Sequence, residues 1–248
     1  MELTVMLQKL VSVMIVWNVG QGQWITQVTN DSCLHFDAGG EVLPWDRIES
    51  ICKNKLNKIY ISHWDADHIS GLNFFHWSGI KYCRASTSDF PLPETLQWFR
   101  QTEFCLMEKK PGVKIIRPQW SEKELRKKRP RNESSLFFLT KNYLMTGDAP
   151  QKSERKNLLN NGELLPSGFQ NITVLILGHH GSKTSTSTAL LKKLSRLKLA
   201  ISSSRKAVYG HPHADVQNKL VKFNVSLLKT EDWGNIILPE QIANEKSF

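Results

Sequence analysis

The segment His63-Trp64-Asp65-Ala66-Asp67-His68 constrains this chain more than any other. It puts four potential metal ligands into six residues, directly after the run Asn57 to Ser62, which reads as a strand. Where a strand runs into a turn, side chains two apart face one side, so His63, Asp65 and Asp67 can converge. His68 then comes round as a helix begins, because Ile69, Leu72, Phe75 and His76 follow at helical spacing. Ligands this close can be shared by two cations, which together activate a water and brace both oxygens of an in-line displacement. The competing reading is a solvated acidic turn with an N-capping aspartate.

Further along, the same residue types recur at strand ends. Of the eight histidines, His63, His68, His179, His180 and His211 stand at or just after expected strands, and His213 follows closely. Asp148 ends a hydrophobic strand behind Gly147 and could bridge two metals, although Gly-Asp is also a common turn pair. In His179-His180-Gly181-Ser182, one histidine could complete a metal shell. The other could hydrogen-bond a substrate oxygen or support a ligand. Asp37, before Ala38-Gly39-Gly40, could orient a ligand histidine through its second ring nitrogen, or stabilise a turn.

Strands and helices alternate along the chain. Val11 to Asn18, Trp24 to Thr29 and Ser32 to Phe36 read as a strand meander. Trp45 to Lys53 has helical spacing, and Ile80 to Cys83 reads as a strand. Ser135 to Thr140 and Tyr143 to Thr146 form a hairpin pattern through Lys141-Asn142, and Ile172 to Leu177 is a strongly apolar strand. A helix is expected from Ser187 to Leu194 and a strand from Leu199 to Ser203. Another helix opens near His211, with Pro212 in its first turn. Val225 to Leu228 and Asn235 to Leu238 close the pattern. This alternation predicts a layered α/β protein, taken as a single domain over 1–248.

The 248 residues can bury a sizeable core, and 40% hydrophobic with 23% charged residues excludes fibrous and wholly disordered classes. A net charge of +10 favours polyanionic partners without establishing them. Residues 118–133 form a basic surface loop in which Lys123, Arg126, Lys127, Lys128, Arg129 and Arg131 could meet a phosphate backbone. Cys33, Cys52, Cys83 and Cys105 contain no CxxC pair, so the expectation is four partly buried thiols in a reducing compartment. The apolar run Leu10 to Trp17 reads as a first strand rather than a signal peptide. With no stretch long enough to span a membrane, the expectation is a cytoplasmic protein.

Six ordered segments carry a family resemblance: Asn18-Val19-Gly20-Gln21-Gly22, Phe36 to Gly40, Ser62 to His68 with Ser70-Gly71-Leu72, Thr146-Gly147-Asp148, His179 to Ser182, and Tyr209 to His213. Together they resemble the metallo-β-lactamase-type domain of ComEC-like competence proteins, which are DNA-uptake channels. The resemblance implies an αββα four-layer sandwich with two mixed β-sheets and hydrolysis of a phosphodiester, with DNA as substrate. It implies two divalent metal ions, zinc or manganese with magnesium also suited to a carboxylate-rich site. His63 and Asp65 would hold one metal, Asp67 and His68 the second, and Asp148 would bridge them. His180, rather than His179, would complete a shell. Asp67 would help activate the water, and His211 and His213 would serve the scissile phosphate or leaving group. Asp37, His179 and Ser182 would support the ligands or stand in as alternative ligands. Gln23 departs from the pattern, since ComEC-like domains usually carry Asp there. A fragment of such a membrane protein would lie in the periplasm or outside the cell.

Overall fold

The computed structural model describes residues 12–87, 91–106, 112–119, 132–159 and 169–240. The first apolar run forms β1 (Ser12–Val16), and β2 (Trp24–Val28) and β3 (Ser32–Ala38) follow it as the expected antiparallel meander. Helix α1 (Trp45–Cys52) then carries the chain to β4 (Leu56–Tyr60), which pairs parallel with β3. Two short helices, α2 (Ala66–Ile69) and α3 (Leu72–Trp77), lead to β5 (Tyr82–Ser86), parallel to β4. This last strand begins two residues later than its sequence pattern suggests.

The second sheet comes from the other half of the chain. It comprises β6 (Lys114–Ile116), β7 (Phe137–Leu139), β8 (Tyr143–Met145), β9 (Val174–Ile176), β10 (Leu199–Ser202) and β11 (Ser226–Lys229). The β6-β7-β8 part is antiparallel, and β8 through β11 are parallel. Helices α4 (Thr188–Lys193) and α5 (Ala214–Lys222) form the crossovers after β9 and β10. The final strand, β12 (Ile236–Glu240), returns to the first sheet and pairs with β1. Both sheets have six strands, ordered β12-β1-β2-β3-β4-β5 and β11-β10-β9-β8-β7-β6.

Three apolar cores separate four layers. Alternation along β1 sends Met14 and Val16 to the core between the sheets, while Ile15 faces the helices. Phe36, Tyr60 and Phe138 meet in that central core at ring-centroid distances of 5.0 to 5.8 Å. Burying each such ring contributes about 1.5–3 kcal/mol. Ile48, Leu72, Phe75 and Phe99 cover the outer face of the first sheet. Leu190, Leu191, Val216 and Leu220 cover the second. The architecture is the α/β sandwich with two mixed sheets that the family resemblance implies.

Three sequence expectations need correction or fall outside this description. The cysteines are not free thiols: Cys33–Cys52 ties β3 to the end of α1, and Cys83–Cys105 ties β5 to residues 103–105. Strand pairing brings together cysteines 19 and 22 residues apart, which spacing alone does not reveal. Pro212 does not sit in the first turn of α5. It precedes the N-cap, because the extended His213 caps the helix by accepting the Asp215 N–H on Nδ1 at 3.2 Å. The cations Lys123, Arg126, Lys127, Lys128, Arg129 and Arg131 lie outside the described residues.

His35 is fully buried beneath the first sheet. Its Nδ1 lies 3.2 Å from Trp24 Nε1 and 3.0 Å from Thr26 Oγ1, and its Nε2 lies 2.9 Å from Asn57 Oδ1. Since Trp24 can only donate, Nδ1 accepts and Nε2 carries the proton. Cys33, His35 and Cys52 lie within ligand distance of one another. The disulfide and the two occupied ring nitrogens leave nothing there to bind a metal. Burial lowers the His35 pKa to about 4, against a partial opposing effect from Asn57. The unfolded chain therefore binds more protons below about pH 6.5, so His35 makes the fold lose stability as pH falls from about 6.5 towards 4. The loss expected from this group is on the order of 3 kcal/mol. Urea unfolding of wild type and His35→Gln across this range tests it: the variant should be less stable at pH 7 and lose less on acidification.

Candidate metal centre

The candidate residues gather where parallel strands of both sheets end. Asp37 lies near the end of β3, and His63 lies just beyond β4. Asp148 follows β8, and His179 and His180 follow β9. Ligands gather at the carboxyl ends of such strands because loops there leave the sheets together. Two glycines permit the close approach. A Cβ on Gly147, at φ 50°, would come within 2.9 Å of Ser135 Cβ and Ser62 Oγ. One on Gly39 would come within 2.6 Å of the backbone of α2.

Asp37 is the root of the arrangement. Its Oδ1 accepts from the Ser62 N–H at 2.7 Å. Its Oδ2 accepts from Ser62 Oγ at 2.8 Å, His68 Nδ1 at 2.7 Å and Gln23 Nε2 at 2.8 Å. Having given its only proton to Asp37, the Ser62 hydroxyl must accept from His63 Nδ1, 2.9 Å away. His180 Nδ1 donates to the Ser203 carbonyl at 3.0 Å. All three imidazoles therefore hold their Nδ1 protons outward and turn Nε2 to a common point.

At that point stands Asp148. His68 Nε2 is 3.0 Å from Asp148 Oδ1, and His180 Nε2 is 3.0 Å from Asp67 Oδ2. Asp67, His68, Asp148 and His180 offer ligand atoms all within 4.8 Å of one another. His63 Nε2 lies 3.7 Å from Asp65 Oδ2 and 3.9 Å from Asp148 Oδ2. His63 Nε2, His68 Nε2 and Asp148 Oδ1 are buried without a hydrogen bond. Buried polar atoms left this way destabilise a fold unless something else meets them. Two imidazole nitrogens and a carboxylate oxygen are an established donor set for divalent cations, so the residues fit a metal.

The electrostatics point the same way. Burial would lower the His68 pKa, but Asp148 and Asp37 overcome it and hold it well above the usual imidazole range. Burial would raise the Asp148 pKa, but His68, His180 and His63 hold it well below the carboxylate range. Burial, then repulsion from His68, keeps His63 neutral, its ligand form. A positive charge belongs in this cluster.

The remaining candidates surround it. His179 turns Nε2 to Asp148 Oδ2 at 3.6 Å, and its ring is 5.9 Å from that of His211. His211 Nδ1 is buried and has no hydrogen-bond partner among the described residues. His213 accepts the Asp215 N–H on Nδ1 at the start of α5, which orients its ring. Ser182 donates its N–H to the His179 carbonyl and holds Thr184 through Oγ, which fixes the turn after the histidine pair. Sequence reading assigned no role to Ser62 or Ser203. A hydroxyl residue directly before a ligand histidine was the available signal for Ser62, whereas the Ser203 carbonyl had none.

Solved structures share this fold. YhfI of Bacillus subtilis, a metallo-β-lactamase fold protein, superposes with a TM-score of 0.54 at 12% identity, covering 92% of this chain and 99% of that one. The chain has the metallo-β-lactamase fold. A diphosphatase of the PhnP family matches with a TM-score of 0.50 at 12% identity, covering 91% of this chain and 97% of the other. Among curated proteins, Competence protein ComA of Neisseria gonorrhoeae is 28% identical over 231 residues, which is 87% of this chain and 30% of ComA. ComE operon protein 3 of Bacillus subtilis is 26% identical over 196 residues, 73% of this chain and 24% of that protein. Recombination protein 2 of Haemophilus influenzae is 27% identical over 235 residues, 88% of this chain and 28% of that protein. The chain thus spans less than a third of the length of these relatives. No family model matches it. Among the described residues, no helix is long and apolar enough to cross a membrane.

The hub makes a specific demand on metal binding. Asn tolerates the positive φ of Asp37, 56°, so Asp37→Asn removes the charge without straining the backbone. It should weaken zinc binding by about 10–100-fold. It should also reduce stability by about 1–3 kcal/mol. Equilibrium dialysis and urea unfolding measure the two effects. Unchanged zinc affinity would show that the histidines are oriented without Asp37.

Proposed function

We propose that this protein is a metal-dependent hydrolase that cleaves phosphodiester bonds, with DNA as its substrate. The observation that carries this reading is the set of outward-braced histidines whose Nε2 atoms turn towards the Asp148 carboxylate, with His63 Nε2, His68 Nε2 and Asp148 Oδ1 buried and without a hydrogen bond among the described residues. His63, Asp65, Asp67, His68, Asp148 and His180 would hold two divalent cations, with Asp148 shared between them. Bound there, the metals would polarise the phosphoryl group and lower the pKa of a coordinated water. Hydrogen bonds from Nδ1 to Asp37 and to the Ser203 carbonyl hold His68 and His180 with Nε2, the atom that binding needs, turned to the site. Asp67, one-third exposed and 3.0 Å from His180, is the carboxylate open to an attacking water. The unpartnered Nδ1 of His211 is suited to a substrate oxygen or the leaving group.

DNA is proposed because the relatives are named for competence and recombination, and because the chain carries a net charge of +10. The basic segment around Lys123 to Arg131 would add contacts to the phosphate backbone. The two disulfides favour folding in an oxidising compartment, hence outside the cytoplasm.

Labelled single- and double-stranded DNA incubated with Mn²⁺, Mg²⁺, Zn²⁺ or EDTA tests the proposal. Wild type should cleave with at least one metal, and EDTA should abolish cleavage. Asp148→Asn should lower the rate by at least about 100-fold, a loss of roughly 3 kcal/mol of transition-state stabilisation. Turnover of small phosphodiesters or lactones by the metal-loaded protein, with DNA untouched, would move the assignment to a small-molecule hydrolase.

A further inference from the structure

The helical turns Gln151–Glu154 and Arg155–Leu159 begin three residues after Asp148. They are fastened to the loop that follows His179 and His180. The Gln151 N–H donates to the Thr184 carbonyl at 2.7 Å, and Gln151 Nε2 donates to the Lys183 and Ser185 carbonyls at 2.9 and 3.2 Å. Glu154, the one carboxylate of these turns, is buried and faces inward. It accepts the Thr186 and Ser187 N–H groups at 2.6 and 2.7 Å. Thr184 Oγ1 lies 3.4 Å from His179 Nδ1. Two segments that leave strand ends at the metal centre are thus held side by side as one rim.

This rim is basic on its outer face. Lys152, Arg155 and Lys183 are exposed, and Gln151, Lys152, Arg155 and Lys156 line an open groove. Lys152 and Arg155 stand three apart on the helical turns, which makes them surface neighbours with Cβ atoms about 5–6 Å apart. A solvated helix face usually carries an acid at such spacing to match its cations. Here the acid, Glu154, is spent on buried amides. Among the described residues, no carboxylate pairs with Lys152, Arg155 or Lys183. Arg205, on the side of Gln21, is instead matched by Glu41 at 3.0 Å. Unmatched cations in a row are the form that contact with a phosphate backbone takes.

We propose that Lys152, Arg155 and Lys183 form a track for the phosphate backbone of a nucleic-acid strand, held beside the metal centre on the His179 side. This rests on the reading of DNA as substrate and adds the surface along which the strand runs. Contacts of this kind position a strand without reading its sequence. Location separates such a track from general basic charge. Lys192, Lys193 and Arg196 are equally exposed, but they lie at the end of α4 and before β10, at the opposite end of the sheet from the metal centre.

Fluorescence anisotropy with labelled single- and double-stranded oligonucleotides, in EDTA and over a salt series, tests the track. Two triple variants are compared with wild type: Lys152→Gln with Arg155→Gln and Lys183→Gln, and Lys192→Gln with Lys193→Gln and Arg196→Gln. Both lose the same charge. The track variant should bind at least about 10-fold more weakly at about 0.1 M salt, and its slope of log affinity against log salt should be shallower by about 2 on single strands. The second variant should keep the wild-type slope. Should the track triple fold poorly by circular dichroism, Lys152→Gln and Arg155→Gln alone should each flatten the slope by about 0.7. Equal losses in the two triples, or none in the track variant, would overturn the track and leave the hydrolase reading standing. Wild type that hydrolyses bis(4-nitrophenyl) phosphate with a metal but binds neither oligonucleotide at low salt would overturn both the track and DNA as substrate.

Discussion

The Asp37 carboxylate is the interaction on which the rest of the site depends. One side chain accepts four hydrogen bonds, from Gln23, the Ser62 amide, the Ser62 hydroxyl and His68. Through Ser62 it also decides the tautomer of His63, with which it makes no direct hydrogen bond. The Nε2 directions of two candidate ligand histidines are thus set by one buried anion, and the Ser203 carbonyl sets a third from the other sheet. Gln23 belongs to this hub. Its amide hydrogen-bonds Asp37 instead of presenting a carboxylate to the cluster, so the position that departs from ComEC-like domains here braces the bracing residue.

Much of the fold was legible because apolar periodicity and strand-end punctuation agreed. The meander β1 to β3, the β7-β8 hairpin and the helix capped by Ser187 all follow local rules. The ligand run from His63 to His68 was legible because its residues are neighbours in sequence. Legibility failed wherever the deciding partner was remote. The disulfides depend on strand register. The capping of α5 by His213 depends on how the turn before the helix presents this side chain to the Asp215 N–H. The bracing by Gln23 and Ser62 depends on the start of β2 and the ends of β3 and β4 lying at one level.

The histidine pair shows both sides of this limit. Sequence showed that His179 and His180 end an apolar strand, and left open which one meets a metal. Both residues adopt left-handed backbone angles, at φ 47° and 56°, and their ring planes stand at 71°. Sequence patterns carry little information about left-handed residues other than glycine, because surrounding contacts impose them.

The site is also divided between the halves of the chain. Asp37, His63, Asp65, Asp67 and His68 hang from the first sheet, and Asp148, His179 and His180 from the second. An ion held by both groups would be a cross-link between two sheets whose facing surfaces are mainly apolar. If each half supplies only part of the coordination shell, such an ion would join the chain only once the sheets have docked. Its occupancy would then add directly to the free energy holding them together, by an amount that grows with the logarithm of free metal concentration. A fold built this way would sense its own cofactor supply, tightening when the ion is abundant and loosening along the seam when it is scarce.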